Sequence, residues 1–406
     1  MLSTQEQLHI IKSGIDQLVP EADLVKKLDR GTPLTIKLGV DPTAPDLHLG
    51  HAVPLRKMRQ FQDLGHNVTL IVGDGTALIG DPSGRNSTRP ALTSEQIAAN
   101  AKTYVDQAMK VLDPEKTTIA WNSTWLLSLD LKGLLEIASK FTVARIIERD
   151  DFSNRLANQE PISMHELLYP MMQAYDSVAI KADVEMGGRD QLFNLLAGRE
   201  LMEKMDMEPQ VALTLPLLEG TDGVRKMSKS YGNYIGLTDA PADMFGKVMS
   251  IPDELMVKYF RLASTLPVAE VDQIERDLAS GALHPNKAKR LLAANIVTLY
   301  HSAEDAKEAE ETFDRVFKEH EAPTDIEERS VKLEEDAEKG GVYLPKLLSE
   351  VGLATSSTDA RHLIDGGGVK VNGEPVSPHA YFMPKSALDG STVQVGKRRY
   401  VKIVGC

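Results

Sequence analysis

The chain predicts an α/β fold built on a doubly wound parallel sheet, followed by a small helical domain and a C-terminal α+β domain. Short apolar strands alternate with amphipathic helices for about 220 residues, the pattern of a parallel sheet covered by its crossover helices. The stretch 66–73, H-N-V-T-L-I-V-G, is almost continuously apolar, as a strand buried on both faces must be. Loops rich in Gly and short polar residues follow the strands, above all D-G-T-A-L-I-G-D-P-S-G-R at 74–85, and ligands of open α/β sheets collect at such carboxyl ends.

Residues 1–34 read as a helical lead-in: Leu8, Ile11, Ile15 and Leu18 recur at helical spacing, and 24–28 is a second short piece. Thr35–Val40 is a strand stopped by Asp41-Pro-Thr-Ala-Pro, and a helix follows over 50–64, with apolar positions at Val53, Leu55, Met58, Phe61 and Leu64 and a stop at Gly65. The alternation continues with a strand at 66–73, a helix at 94–112, a strand at Thr117–Trp121, helices at 131–147, 164–178 and 192–205, and a strand at 211–218. The sheet domain therefore spans 1–238, with a helical insertion in its middle. Residues 239–325 carry helical patterns and little β-branched alternation; 326–341 read as an acidic linker. The last domain, 342–406, has two short helices, the second near 357–364, then G-G-G-V-K-V-N-G and a closing strand at 400–404.

Composition narrows the class. With 406 residues and 42% hydrophobic content, the chain is an ordinary globular protein of two to three domains. The N-terminus lacks a basic start and a long apolar run, so no signal peptide is expected, and no stretch approaches the ~18 apolar residues a membrane span needs. The only cysteine, Cys406, excludes an intrachain disulfide and fits a reducing, cytoplasmic setting. A net charge of −13 argues globally against nucleic acid, yet 341–406 holds eight Lys/Arg against five Asp/Glu.

Two segments carry chemistry. His48 and His51, in H-L-G-H, stand where a strand turns into a helix, and three-residue spacing puts them on one face. Such a turn aims backbone N–H groups and the positive end of a helix dipole at one point, which suits phosphate. A chance pair on a surface turn, or two of the ligands of a metal, would look the same. The metal reading lacks a second cluster, and no metal site is expected. Far downstream, R-K-M-S-K-S-Y-G-N places Lys226 and Lys229 in a Gly- and Ser-bordered loop, either a solvated basic loop or a mobile cationic clamp.

In this order, H-L-G-H and K-M-S-K-S resemble the signature pair of class I aminoacyl-tRNA synthetases, with a Rossmann-like catalytic domain. D-P-T-A-P-D-L-H-L-G-H, G-D-P-S-G-R, Y-P-M-M-Q-A-Y-D and G-G-R-D-Q narrow the resemblance to the bacterial tyrosyl-tRNA synthetases, and it covers almost the whole chain. The tail, two short helices and a glycine-rich turn into V-K-V-N-G, resembles the S4 RNA-binding domain. The resemblance implies a cytoplasmic homodimer, with no membrane association, that activates L-tyrosine with ATP and Mg²⁺ and passes the tyrosyl group to the 3′ end of tRNA(Tyr). No tightly held cofactor is implied, and 239–325 becomes a tRNA-contacting domain.

Attack of a carboxylate on the α-phosphorus needs positioning and stabilisation of phosphate charge rather than a protein nucleophile. His48, His51, Lys226 and Lys229 match the family's phosphate-binding positions, and Gly223 and Gly232 flank a loop expected to close over ATP. The resemblance assigns Asp41, Thr43, Gly50, Gly188, Asp190 and Lys229 to ATP, Gly188 and Asp190 at the ribose. Tyr169, Gln173 and Asp176 share one helical stripe, which is a solvent-facing polar edge or a selecting face. The resemblance assigns Asp81, Tyr169 and Gln173 to the tyrosine ammonium, Asp176 to the phenolic hydroxyl and Gln191 to the carboxylate side. For RNA, Arg361, Lys370, Lys397, Arg398 and Arg399 offer charges to a folded backbone.

One departure stands out. Many relatives carry tyrosine four residues before the D-P-T aspartate, where it shares in reading the hydroxyl; this chain has Lys37, free to pair with Asp176, with Asp41 or elsewhere. Arg85 in place of a common lysine keeps its charge. Two other readings compete: a tryptophan-specific relative, disfavoured by Asp176 and the S4-like tail, and a non-catalytic RNA-binding protein on the same scaffold, disfavoured by the retained histidines and lysines.

Overall fold

Six strands form one sheet in the computed structural model: β1 (Gln17–Val19), β2 (Thr35–Val40), β3 (Asn67–Val72), β4 (Thr117–Trp121), β5 (Val184–Gly188) and β6 (Val211–Leu215). Their spatial order is β1-β6-β5-β2-β3-β4; every pairing is parallel except β1 on β6. The inner strands β3, β5 and β6 are buried almost throughout because both faces are covered, while the edge strands β1 and β4 are half-exposed. The chain winds outward from β2 through β3 to β4, then returns to β5 on the other side of β2. That reversal opens a crevice at the carboxyl ends of β2 and β5, where Asp41 and Gly188 lie.

The structure describes residues 2–42, 47–82, 93–318, 326, 328–336, 339–396 and 399–405, in two compact units, Met1–Lys307 and Glu308–Cys406. In the first, the helix Leu49–Asp63 buries Leu49, Ala52, Val53, Leu55, Met58 and Phe61. It is also clamped through polar atoms. Arg56 donates to the Ser264 carbonyl at 2.9 Å, and Lys57 Nζ caps the end of the helix Thr4–Lys12 through the carbonyls of Ile11 at 3.1 Å and Ser13 at 2.7 Å. The histidine turn at its start therefore has a rigid support. The helices Pro241–Met249, Met256–Ala263, Val268–Ser280 and Pro285–Tyr300 form the expected helical region, with Phe245, Tyr259, Phe260 and Ile296 in its core.

Three sequence expectations are corrected. Leu18 lies in β1, not in a helix: the first helix ends at Lys12, Gly14 turns the chain at φ 74°, and Leu18 pairs with Leu213. The helix expected over 131–147 is broken into Leu131–Ala138 and Val143–Ile146, with Thr142 recapping the backbone N–H of Arg145 at 3.2 Å. The supposed linker 326–341 supplies strands, because Glu328–Val331 pairs in parallel with Arg399–Gly405 and Glu335–Asp336 pairs with Gly341–Tyr343.

In the second unit the helices Leu344–Glu350 and Ser357–Asp365 pack with strands around Leu344, Leu348, Ile364, Val369, Val393 and Ile403. The V-K-V-N-G turn is a tight hairpin between Val369–Val371 and Glu374–Pro375. Asn372 and Gly373 both take positive φ, 51° and 83°, as a two-residue turn of this hand requires.

Candidate active site

The two signature segments meet. His48 bridges Gly236 in antiparallel fashion, the Leu49 N–H donates to the Ile235 carbonyl at 2.9 Å, and the Leu237 N–H donates to the Leu47 carbonyl at 3.0 Å. The chain on either side of K-M-S-K-S is likewise pinned. Glu219 bridges Lys226, the Met227 N–H reaches the Leu218 carbonyl at 2.8 Å, and Asn233 ties Asp222, Arg225, Lys226 and Ser228 together. Gly220 packs against Asn233 so closely that a Cβ would lie 2.3 Å from it.

His48 and His51 stack with centroids 3.8 Å apart. His51 Nδ1 accepts the His48 backbone N–H at 3.3 Å, so Nε2 carries the His51 proton. Burial, the second imidazole and nearby Lys229 together push His48 down to about 3, while His51, which keeps an exposed face, is lowered by burial and Lys229. Both rings are thus neutral donors at neutral pH. Lys226 and Lys229 are exposed, and Lys229 Nζ stands 5.9 Å from the Tyr234 ring. Gly50 packs on the His48 ring: a Cβ there would lie 3.0 Å from the imidazole.

Beside this turn opens a cavity of about 1490 Å³, lined by Asp41, Gly50, His51, Thr76, Asp81, Tyr169, Gln173, Asp176, Gly188, Asp190 and Gln191 among others. His48, Lys226 and Lys229 are not in its wall. Asp41 accepts from Tyr169 Oη and from Thr76 Oγ1, each at 2.9 Å. Burial outweighs both hydrogen bonds and raises the Asp41 carboxyl to about 7. Gly73 makes room for it, since a Cβ would come within 2.1 Å of Asp41 Oδ1. Gly188 stands in the same relation to the exposed Asp190, at 2.5 Å.

Sequence reasoning missed three partners, Arg149, Trp125 and Asn122. Arg149, 3% exposed, pairs with Asp81 at 2.5 Å, and Gln191 Nε2 donates to the same carboxylate at 2.8 Å. Trp125 Nε1 and Asn122 Nδ2 donate to Asp176 at 2.8 and 3.2 Å; burial still raises that carboxyl to about 6. Asn122 follows the last residue of β4, at the ligand edge of the sheet, and that position was the available signal. Lys37 pairs with neither Asp176 nor Asp41; its partner is Glu185, at 2.8 Å. Thr43, Lys397 and Arg398 lie outside the described residues.

In the second unit Arg361 lies 5.7 Å from the ring centres of both Tyr343 and Tyr381 and donates through Nε to Tyr343 Oη at 2.7 Å. Lys370 is half-buried on its strand, and Arg399 donates to the Leu353 carbonyl at 2.9 Å. Among the described residues no three His, Cys, Asp or Glu side chains gather as a metal site, and no helix is long and apolar enough to cross a membrane.

Comparison with known proteins places these features. Residues 29–318 match the family of class I tRNA synthetases for tryptophan and tyrosine, and 344–380 match the S4 domain. The chain is 51% identical over 404 residues to the tyrosine–tRNA ligase of Aquifex aeolicus, covering 99% of this chain and 100% of that one. It is 50% identical to that of Carboxydothermus hydrogenoformans, covering 98% of each. In fold it resembles a tyrosyl-tRNA synthetase of Archaeoglobus fulgidus solved with L-tyrosine, with a TM-score of 0.62 at 24% identity, covering 76% of this chain and 99% of that one.

Proposed function

The chain belongs to the tyrosyl-tRNA synthetases, and from that premise we propose how its own residues carry the reaction. It is a tyrosine–tRNA ligase with a Rossmann-like catalytic domain and an S4 domain. A tyrosine carboxylate oxygen bonds to the α-phosphorus of ATP, and the bond to pyrophosphate breaks. The 3′ end of tRNA then takes the tyrosyl group from the adenylate, releasing AMP.

His51 Nε2–H and the neighbouring His48 donate to the phosphates, and Lys226 and Lys229 offset the charge that builds on the leaving pyrophosphate. The observation that carries this reading is the packing of the histidine turn against the lysine segment, where a Cβ on Gly50 would lie 3.5 Å from Met227 Cβ, with His48 bridged to Gly236 beyond that segment. Asp190 accepts from the ribose, with Gly188 and Gly50 giving the nucleotide close approach, and Thr43 and Asp41 complete its surroundings. Mg²⁺ arrives on the phosphates of ATP, a hard cation that keeps its waters and needs no protein cage.

For tyrosine, Asp81, Tyr169 and Gln173 receive the ammonium, Gln191 stands on the carboxylate side, and Asp176 accepts from the phenol. Asp41, held by Tyr169, also stands on this amino-acid side. Arg361, with Lys370, Lys397, Arg398 and Arg399, contacts the RNA backbone, and the helical region 239–325 contacts tRNA. The enzyme works in the cytoplasm as a homodimer. Leu127, Leu131, Leu135, Val143, Leu156 and Met164 are all exposed within the central insertion, a density of bare apolar side chains that a second copy would cover.

Amino-acid-dependent exchange of pyrophosphate into ATP tests the reading. Stimulation by tyrosine is the expected result; stimulation by tryptophan alone, or by neither, overturns it.

A further inference from the structure

Lys37 and Glu185 are cross-strand partners in register on β2 and β5, and both are fully buried. A hydrophobic pair of the same volume would hold the sheet as well or better, because the desolvation of two charges offsets much of their attraction. The charges therefore ask for a role beyond stability.

The pair's hydrogen bonds show where that role lies. The three protons of Lys37 Nζ go to Glu185 Oε1 at 2.8 Å, Ser177 Oγ at 2.8 Å and the Gln173 carbonyl at 3.0 Å. Glu185 accepts in addition from Ser177 Oγ at 3.1 Å, from Gln173 Nε2 at 3.2 Å and from Gln210 Nε2. Gly198 leaves the room for this, since a Cβ there would sit 2.5 Å from Gln210 Nε2 and 3.1 Å from Glu185 Oε2. Every partner but one lies away from the cavity wall. The exception is Gln173, which lines the cavity.

An ionised carboxylate only accepts, so the part of the Gln173 amide that faces Glu185 must be its NH₂. Its Oε1 is then left free of the pair, and it is buried with no hydrogen-bond partner among the described residues. The ion pair with Lys37 at 2.8 Å holds the Glu185 carboxylate in place as an acceptor and so keeps the amide from flipping. We infer that the buried Lys37–Glu185 pair is a positioning unit for amino-acid recognition, fixing the Gln173 amide with its NH₂ on Glu185 so that its oxygen is left to accept from an ammonium donor. This rests on the reading that Gln173 faces the tyrosine ammonium. It also gives Lys37 a task other than reading the phenol.

Two inhibitors separate this role from a structural one. Tyramine keeps the ammonium and lacks the carboxylate; 3-(4-hydroxyphenyl)propionate keeps the carboxylate and lacks the ammonium. Their inhibition constants against tyrosine are measured for wild type, Glu185→Gln, Lys37→Met/Glu185→Gln and Gln173→Ala. The double variant strands no charge, so it remains readable where the single variant fails to fold. Loss of one hydrogen bond to a charged group predicts tyramine binding weaker by about tenfold in the pair variants, with the propionate changed by less than about twofold. Equal weakening of both inhibitors, or no change in either, overturns the inference. If Gln173→Ala itself leaves tyramine unchanged, the fault lies with the assignment of Gln173 and not with the pair alone.

Discussion

Asp176→Asn gives the sharpest prediction about substrate choice. The Asp176 carboxylate is 3% exposed and accepts from Trp125 Nε1 at 2.8 Å and Asn122 Nδ2 at 3.2 Å, leaving acceptor capacity for one more donor. In the proposed complex that donor is the phenolic hydroxyl of tyrosine. Asparagine removes the charge and brings an NH₂ that must face one of two existing donors. A hydrogen bond to a charged group contributes about 1.5–3 kcal/mol, so kcat/KM for tyrosine in pyrophosphate exchange should fall roughly 10- to 150-fold. Phenylalanine offers nothing to the carboxylate and leaves it bare under an apolar ring. Its kcat/KM should hold or rise, so the preference for tyrosine narrows by at least the same factor. The wild-type enzyme should show the same dependence against pH. The folded-state pKa of Asp176 is raised to about 6 by burial, so the acceptor is present above pH 6 and lost as pH falls through it. The preference for tyrosine over phenylalanine at limiting concentration should therefore drop below pH 6, an acid limb to which Asp41, common to both substrates, does not contribute, and the Asn variant should lack that limb. Parallel losses for tyrosine and phenylalanine, or an unchanged acid limb in the variant, would refute the assignment.

Three further predictions follow. Ring resonances of His48 should report a neutral imidazole down to pH 5 in the free protein, and a non-hydrolysable ATP analogue with Mg²⁺ should raise its midpoint by at least about one unit as phosphate charge arrives; an unmoved midpoint would place the phosphates elsewhere. Leu131→Asp/Leu135→Asp puts two charges on one exposed helix face and should shift the sedimentation coefficient from dimer to monomer, whereas an unaltered dimer would locate the interface on another surface. Arg361→Ala should raise KM for tRNA in aminoacylation several-fold while pyrophosphate exchange, which needs no tRNA, stays within about twofold; equal losses in both would remove Arg361 from the RNA surface.

Most of the scaffold is legible in the amino-acid order because buried parallel strands are written as unbroken apolar runs. The runs expected at 66–73 and 211–218 contain Asn67–Val72 and Val211–Leu215, which are buried almost throughout. β1 escapes because a three-residue edge strand has no periodicity of its own, and Leu18 continues the helical spacing of Leu8 and Ile11. The linker reading failed for a related reason: Glu328–Val331 is polar and is held as a strand by its partner Arg399–Gly405, some 70 residues away. At the site, the motif residues could be named from the sequence because their spacing is local. Arg149, Trp125 and Asn122 lie on other elements and meet Asp81 and Asp176 only through the fold; of the three, only Asn122, just past the end of β4, has a position that announces it. Lys37 was noticed as an exception, but its partner is visible only once β2 and β5 are set side by side.

The central claim is that the histidine turn and the lysine loop act on one set of phosphates. A double-mutant cycle on His51→Ala and Lys229→Ala, followed by rapid-quench measurement of tyrosyl-adenylate formation, tests it most directly. Each single change should slow that step by about 10²–10³-fold with tyrosine affinity little altered, as expected for donors that act on developing charge. The two should be coupled by more than about 0.5 kcal/mol, since groups that share a substrate oxygen network are not independent. Strictly additive losses, or a Lys229→Ala variant that loses tyrosine binding as much as chemistry, would contradict the account.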